Sequence, residues 1–292
     1  MVLSDLMQFL ISGLTRGSIY GMVGIGFALI YRSSHVINFA QGEFVMMGGM
    51  ATVFLVAAGL PLPLAAVGAI LIATLVGIAI QVGIIARMRQ PSTLSIIVVT
   101  VGISEMLRGG VETLLGRQFY ALPAFSGEDS IIVLGARLAP QSLWILGGLV
   151  VVAAAMWLFL RHTMLGRGIQ AAASNRLAAH LVGIDVPFVL VVGFALSAAL
   201  GALAGLLTTP ITLTQFDVGI ALGMKGFCAA ILGGLTSPFG GIAGGLILGF
   251  AEALAGGYLS SAYQDAVAFV LIIAMLLYRP NGLFARRLVE RV

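Results

Sequence analysis

Apolar stretches about as long as a bilayer-crossing helix recur along the whole chain, separated by short polar gaps. Some twenty such residues span the hydrocarbon layer as helix, because lipid offers no partner to a free backbone N–H or C=O. Nine runs are read this way, at about 8–31, 43–60, 63–86, 94–115, 142–160, 188–208, 219–235, 239–257 and 264–279. Composition agrees. Of the 292 residues 60% are hydrophobic and 9% charged, and the mean hydropathy is +1.12, whereas a soluble domain carries roughly 25% charge. The expected fold is an all-α, polytopic transmembrane bundle of about nine spans, one domain over residues 1–292 with no soluble module.

Basic residues set the expected direction. With the N-terminus outside, the inner gaps and tail hold Arg32, Arg87, Arg89, Arg161, Arg167, Arg176, Arg279, Arg286, Arg287 and Arg291, and the outer gaps hold only Arg117 and Arg137. The C-terminus is then cytoplasmic. The pI near 9.6 thus reflects topology rather than a nucleic-acid groove. Met1–Leu10 carries Asp5 and no basic residue, so the first run is expected to stay in the mature protein. Cys228 is the lone cysteine, which excludes a disulfide framework or a cysteine metal site.

Small residues recur every fourth position at Gly13/Gly17/Gly21, Ser197/Gly201/Gly205 and Gly241/Gly245/Gly249, a spacing that lets helix backbones approach. Two polar, glycine-containing interruptions stand out: Ile37–Glu43 and Gly233–Gly241. Paired interruptions point to a solute path, with Asn38, Gln41, Gly42, Glu43, Thr236 and Ser237 as candidates; the alternative is an ordinary capping turn. The segment from about 162 to 187 is too polar to span. Ile169, Ala173, Leu177, Leu181 and Ile184 read as one face of a short helix, ended by Gly183 and followed by Pro187. Such a helix either lies in the headgroups or docks on a partner. Arg16, Glu105, Arg108, Glu112, Lys225 and Glu252 fall within apolar runs. They serve either as glue between helices or as an outward-facing vestibule. Glu105, Arg108 and Glu112 share a helix face, and Lys225 and Glu252 are placed to pair between neighbouring spans.

No HExxH, CxxC, GxSxG or GxxxxGK[ST] is present, so no catalytic constellation is expected and any ATP-driven work needs separate subunits. The stretches Gly13–Gly21, Gly26–Tyr31 and Ile37–Phe44, then Ala230–Gly234, Pro238–Gly241 and Tyr278–Phe284, resemble the branched-chain amino acid ABC importer permeases of the LivH type over nearly the whole chain. The resemblance implies a homologous second permease of the LivM type, two cytoplasmic ATPase subunits that bind ATP and Mg, a periplasmic or lipid-tethered binding protein, and residence in the bacterial inner membrane. It makes the inner segment a coupling helix, with Gly168, Ala171, Ala172, Asn175, Ala178 and Gly183 at the ATPase contact, and places Asn38 and Gln41 on the path. Where the family commonly carries His this chain has Gln41, which bears on solute choice. An apolar amino acid is the first expectation, and urea, amides or aromatic acids are the family's other solutes. The different-class alternative is a self-contained ion-coupled carrier or channel.

Overall fold

A computed structural model describes residues 2–88, 92–127, 129–133 and 135–284; Arg89, Arg286, Arg287 and Arg291 lie outside the described residues. The nine expected runs are all helices: α1 (Val2–Ser34), α2 (Gln41–Ala57), α3 (Leu62–Gly83), α4 (Thr93–Leu115), α5 (Pro140–His162), α8 (Val186–Thr212), α9 (Val218–Gly233), α10 (Pro238–Tyr258) and α11 (Gln264–Tyr278). Between α5 and α8 come two shorter helices, α6 (Met164–Ser174) and α7 (Arg176–Leu181). A small antiparallel hairpin, β1 (Ile131–Val133) and β2 (Ala136–Leu138), precedes α5. Apart from that hairpin the architecture is helical, and the molecule is a polytopic membrane protein of the all-α class. Seven of its described helices are long and apolar enough to cross a bilayer. The other two apolar helices, α2 with 17 residues and α9 with 16, rise only about 25 Å at 1.5 Å per residue.

The spaced glycines find specific partners. The Gly13/Gly17/Gly21 edge of α1 lies against the Gly241/Gly245/Gly249 edge of α10: a Cβ on Gly17 would stand 2.8 Å from Gly245 O, and one on Gly13 3.1 Å from Gly249 O. The third stripe, Ser197/Gly201/Gly205 on α8, packs on α2, where a Cβ on Gly201 would stand 2.9 Å from Phe44 Cβ. Dispersion between facing backbones replaces side-chain interdigitation in both seams.

The expected single amphipathic helix after α5 is two helices. Asn175 breaks it: at φ −158° it leaves the helical region and its side chain accepts from Ala178 N at 2.9 Å, capping α7. The stripe splits accordingly. Ile169 is buried, whereas Leu177 and Leu181 are 70% and 77% exposed. Gly183 (φ +87°) does end α7, with Ile184 N reaching back to Ala179 O. Asp185 then caps α8 through Phe188 N, and Pro187 occupies its first turn.

Candidate functional site

Two non-glycine residues among those described have left-handed φ, His35 at 57° and Leu213 at 63°. Such φ values are uncommon outside glycine, and for a bulky residue such as leucine they mark a genuine constraint. Each follows the end of a long helix, α1 or α8, and each leads into one of the two short apolar helices. The chain therefore turns back into the bundle twice, and α2 and α9 begin inside it. Gln41, the first residue of α2, touches Gly26 and Ser197. Gly26 lies eight residues before the end of α1, about 12 Å along its axis.

The two re-entrant starts meet. A Cβ on Gly219 would stand 2.6 Å from Gly42 O and 3.0 Å from Glu43 Oε2, and one on Gly223 2.8 Å from Gly42 Cα. Only glycine permits that crossing. The second partner of the Asn38–Glu43 interruption is thus the Leu213–Asp217 bend. The Gly233–Gly241 stretch, expected to fill that place, is a tight turn at the end of the bundle that carries α6. Its Thr236 and Ser237 line a different cavity, of about 680 Å³, with Arg32, His35, Arg161 and Arg167. His35 is held below its ordinary pKa, first by burial and then by the Arg176 charge.

Buried polar atoms gather where the short helices start. Gln41 Nε2 donates to Ser197 O at 3.1 Å, and Ser197 Oγ lies 2.5 Å from Gln41 Oε1 and 2.8 Å from Gly26 O, tying α1, α2 and α8. Asn38 Oδ1 accepts from Ala40 N at 3.1 Å, and Ala40 immediately precedes α2. Glu43 is 1% exposed; its Oε1 accepts from Ser104 Oγ of α4 at 2.7 Å. Asn38 Nδ2, Glu43 Oε2 and Asp217 Oδ1 are buried without a hydrogen-bond partner. Natural proteins rarely leave such atoms orphaned, since each forfeits its hydration for nothing.

Beside this junction lies a half-open cavity of about 190 Å³ between α2, α4 and α9. Gly42, Gly219 and Gly223 form its floor, and Glu43, Ser104, Glu105 and Arg108 supply its polar wall. Phe27, Phe39 and Phe227 form an aromatic wall, with ring centroids 5.6 Å (Phe27–Phe227) and 5.8 Å (Phe39–Phe227) apart. Arg108 pairs with Glu105 on the same helix. Of the expected path residues, Gly42 and Glu43 line this cavity, whereas Asn38 and Gln41 pack behind it.

The six embedded charges form no single vestibule. Lys225 sits 3.3 Å from Glu252, making the pair expected between α9 and α10, and 2.8 Å from Asp265. Tyr20 donates to Glu252 at 2.7 Å and Arg16 to Gln264 Oε1 at 3.0 Å. Glu112 turns away from Arg108 to Arg117. In the expected coupling set, Asn175, Ala178 and Gly183 are exposed and Ala171 half-buried, but Gly168 and Ala172 are buried against the bundle, leaving those two nothing to offer a partner.

Ser104, Asp217 and the three phenylalanines went unpredicted. A signal for the second bend existed: Pro210, then Gln215-Phe216-Asp217, interrupts the apolar run much as Asn38-Phe39 does.

Known proteins match along nearly the whole length. A family model described as "Branched-chain amino acid transport system / permease component" matches residues 9–276. The high-affinity branched-chain amino acid transport system permease protein LivH of Salmonella typhimurium is 34% identical, covering 98% of this chain and 97% of that protein. BraD of Pseudomonas aeruginosa, with the same description, is 32% identical over 98% of each. The ribose import permease protein RbsC of Haemophilus influenzae is 28% identical over 94% of this chain and 85% of its own. Among solved structures, PsaBC from Streptococcus pneumoniae in complex with Fab shares the fold, with TM-score 0.54 at 14% identity over 95% of this chain and 92% of that one. With a family match over residues 9–276 and relatives above 30% identity, the chain belongs to the branched-chain amino acid transport system permease component family.

Proposed function

We propose that this chain is a permease subunit of an ATP-driven importer in a bacterial inner membrane, passing a branched-chain or similar apolar amino acid by alternating access. The observation that carries the reading is the full-length likeness to LivH and BraD at 34% and 32% identity, stronger than the 28% likeness to a ribose permease. Energy enters from two separate ATPase subunits that bind ATP and Mg and grip α6–α7. That end carries Arg32, Arg161 and Arg167 around one cavity, which supports a cytoplasmic placement under the positive-inside rule. It also presents Leu177, Leu181 and Val182 at 70–77% exposure, apolar surface suited to a protein groove. A binding protein delivers solute at the opposite end. A homologous second permease covers α4, of which only Thr100 and Ile103 are buried and whose charges are costly against lipid.

Ala178→Glu, in the exposed part of α7, tests the coupling role in the reconstituted importer. Insertion into the membrane stays normal, while the ATPase activity stimulated by solute-loaded binding protein drops roughly tenfold or more, as loss of a few kcal/mol at an interface core implies. Unchanged stimulation refutes docking there. Accumulation of solute by vesicles holding this chain alone refutes the whole reading.

A further inference from the structure

We infer that the cavity between α2, α4 and α9 is a solute-reading subsite, in which Glu43 receives the α-ammonium group of the passing amino acid and Arg108 its carboxylate. This deepens the proposed function and rests on it. Glu43 is 1% exposed and lines the cavity, yet only Oε1 is engaged, by Ser104; Oε2 has no hydrogen-bond partner and lies against the Gly219 backbone. A buried carboxylate oxygen without a donor costs free energy that a bound cation recovers. The charges near it are Glu105 and Arg108 from α4 and Asp217 from the start of α9, which also has a buried unpartnered oxygen.

Arg108 and Glu105 cancel one another, so Glu43 is the carboxylate left over in the cavity lining, with Asp217 a second carboxylate close behind it. Arg108 is the more fixed of the pair: its side chain is 17% exposed and that of Glu105 63%. Glu105 is therefore the member that gives way, on the side where α4 meets the second permease, and cedes Arg108 to an incoming carboxylate, a charge-assisted exchange between like groups. The three phenylalanine rings line the space left for an apolar side chain. A neutral sugar would leave Glu43 Oε2 unpaired, and sites built for charged groups reject ligands that lack them. The permease would thus check the zwitterion a second time, after the binding protein.

The test uses the complete importer purified without its binding protein, with equilibrium binding of radiolabelled L-leucine and of isoamylamine, which lacks the carboxylate. Glu43→Gln is expected to weaken both probes by roughly tenfold or more, since a hydrogen bond to a charged group contributes on the order of 1.5–3 kcal/mol. Arg108→Gln, on the sparsely packed α4, is expected to weaken leucine alone by a similar factor and keeps the test decisive if the first variant does not assemble. Wild-type affinities in both variants, or no leucine binding by an importer that transports leucine, overturn the subsite alone. An importer that fails to accumulate leucine with ATP and binding protein overturns the proposed function and the subsite with it.

Discussion

The α1–α10 seam and the α2–α9 junction are both built where glycine meets glycine, yet they use the closeness differently. Along the seam three glycines of each helix face the partner's backbone, with Tyr20 of α1 donating to Glu252 of α10 beside them. At the junction Gly42 and Gly219 bring together two helix beginnings, and with them Asn38, Glu43 and Asp217, whose buried polar atoms are not all satisfied. Close approach holds the seam together. At the junction it delivers polar groups to a depth where lipid alone would exclude them.

Three experiments break or sharpen that contrast. The largest effect is expected at the seam's polar edge, where Glu252 of α10 is fully buried and held by Lys225 and Tyr20. Lys225→Met strands that carboxylate and should cost about 3–5 kcal/mol, read as a lowered unfolding temperature in detergent; adding Glu252→Gln should restore most of it. Next, Gly249→Ala drives a methyl into the Gly17 backbone and should cost about 1–3 kcal/mol. Gly102→Ala on α4, with no atom within 4 Å of the new Cβ, should leave the midpoint unchanged. Equal effects from the two alanines would erase the distinction. The smallest effect concerns the bend before α2. Burial, then Arg176, holds His35 below its ordinary value of 6.5, so the unfolded chain binds the extra proton first as pH falls. Stability is full above pH about 6.5 and declines below it. His35→Asn, which tolerates the left-handed backbone, should flatten that acid slope, as thermal melts against pH would reveal.

Much of the architecture was legible because its causes are local. Nine apolar runs became nine helices, and glycines spaced by four became seams. The sequence did not say which seam meets which, since a stripe of small residues carries no address. Depth was also hidden. A run's hydrophobicity measures its transfer from water, not where along the membrane normal it begins, so 43–60 and 219–235 looked like ordinary spans although both start beside Gly26 or Gly42. Asn38 and Gln41 stand out in the sequence as polar residues among apolar ones, but their depth comes only from the packing, which leaves them out of the cavity lining that holds Gly42 and Glu43. The coupling stripe failed for a simpler reason: Asn175 competes for Ala178 N and ends one helix to begin another.

The contact between α1 and α10 has a mechanical corollary. Two helices that touch largely through their main chains have few pliant side chains with which to absorb a sliding displacement, so shear is felt along much of the contact at once. A movement that opened the permease to either face in turn would therefore be expected to carry the two as a single girder and to bend the chain at His35 and Leu213, which lie outside that contact.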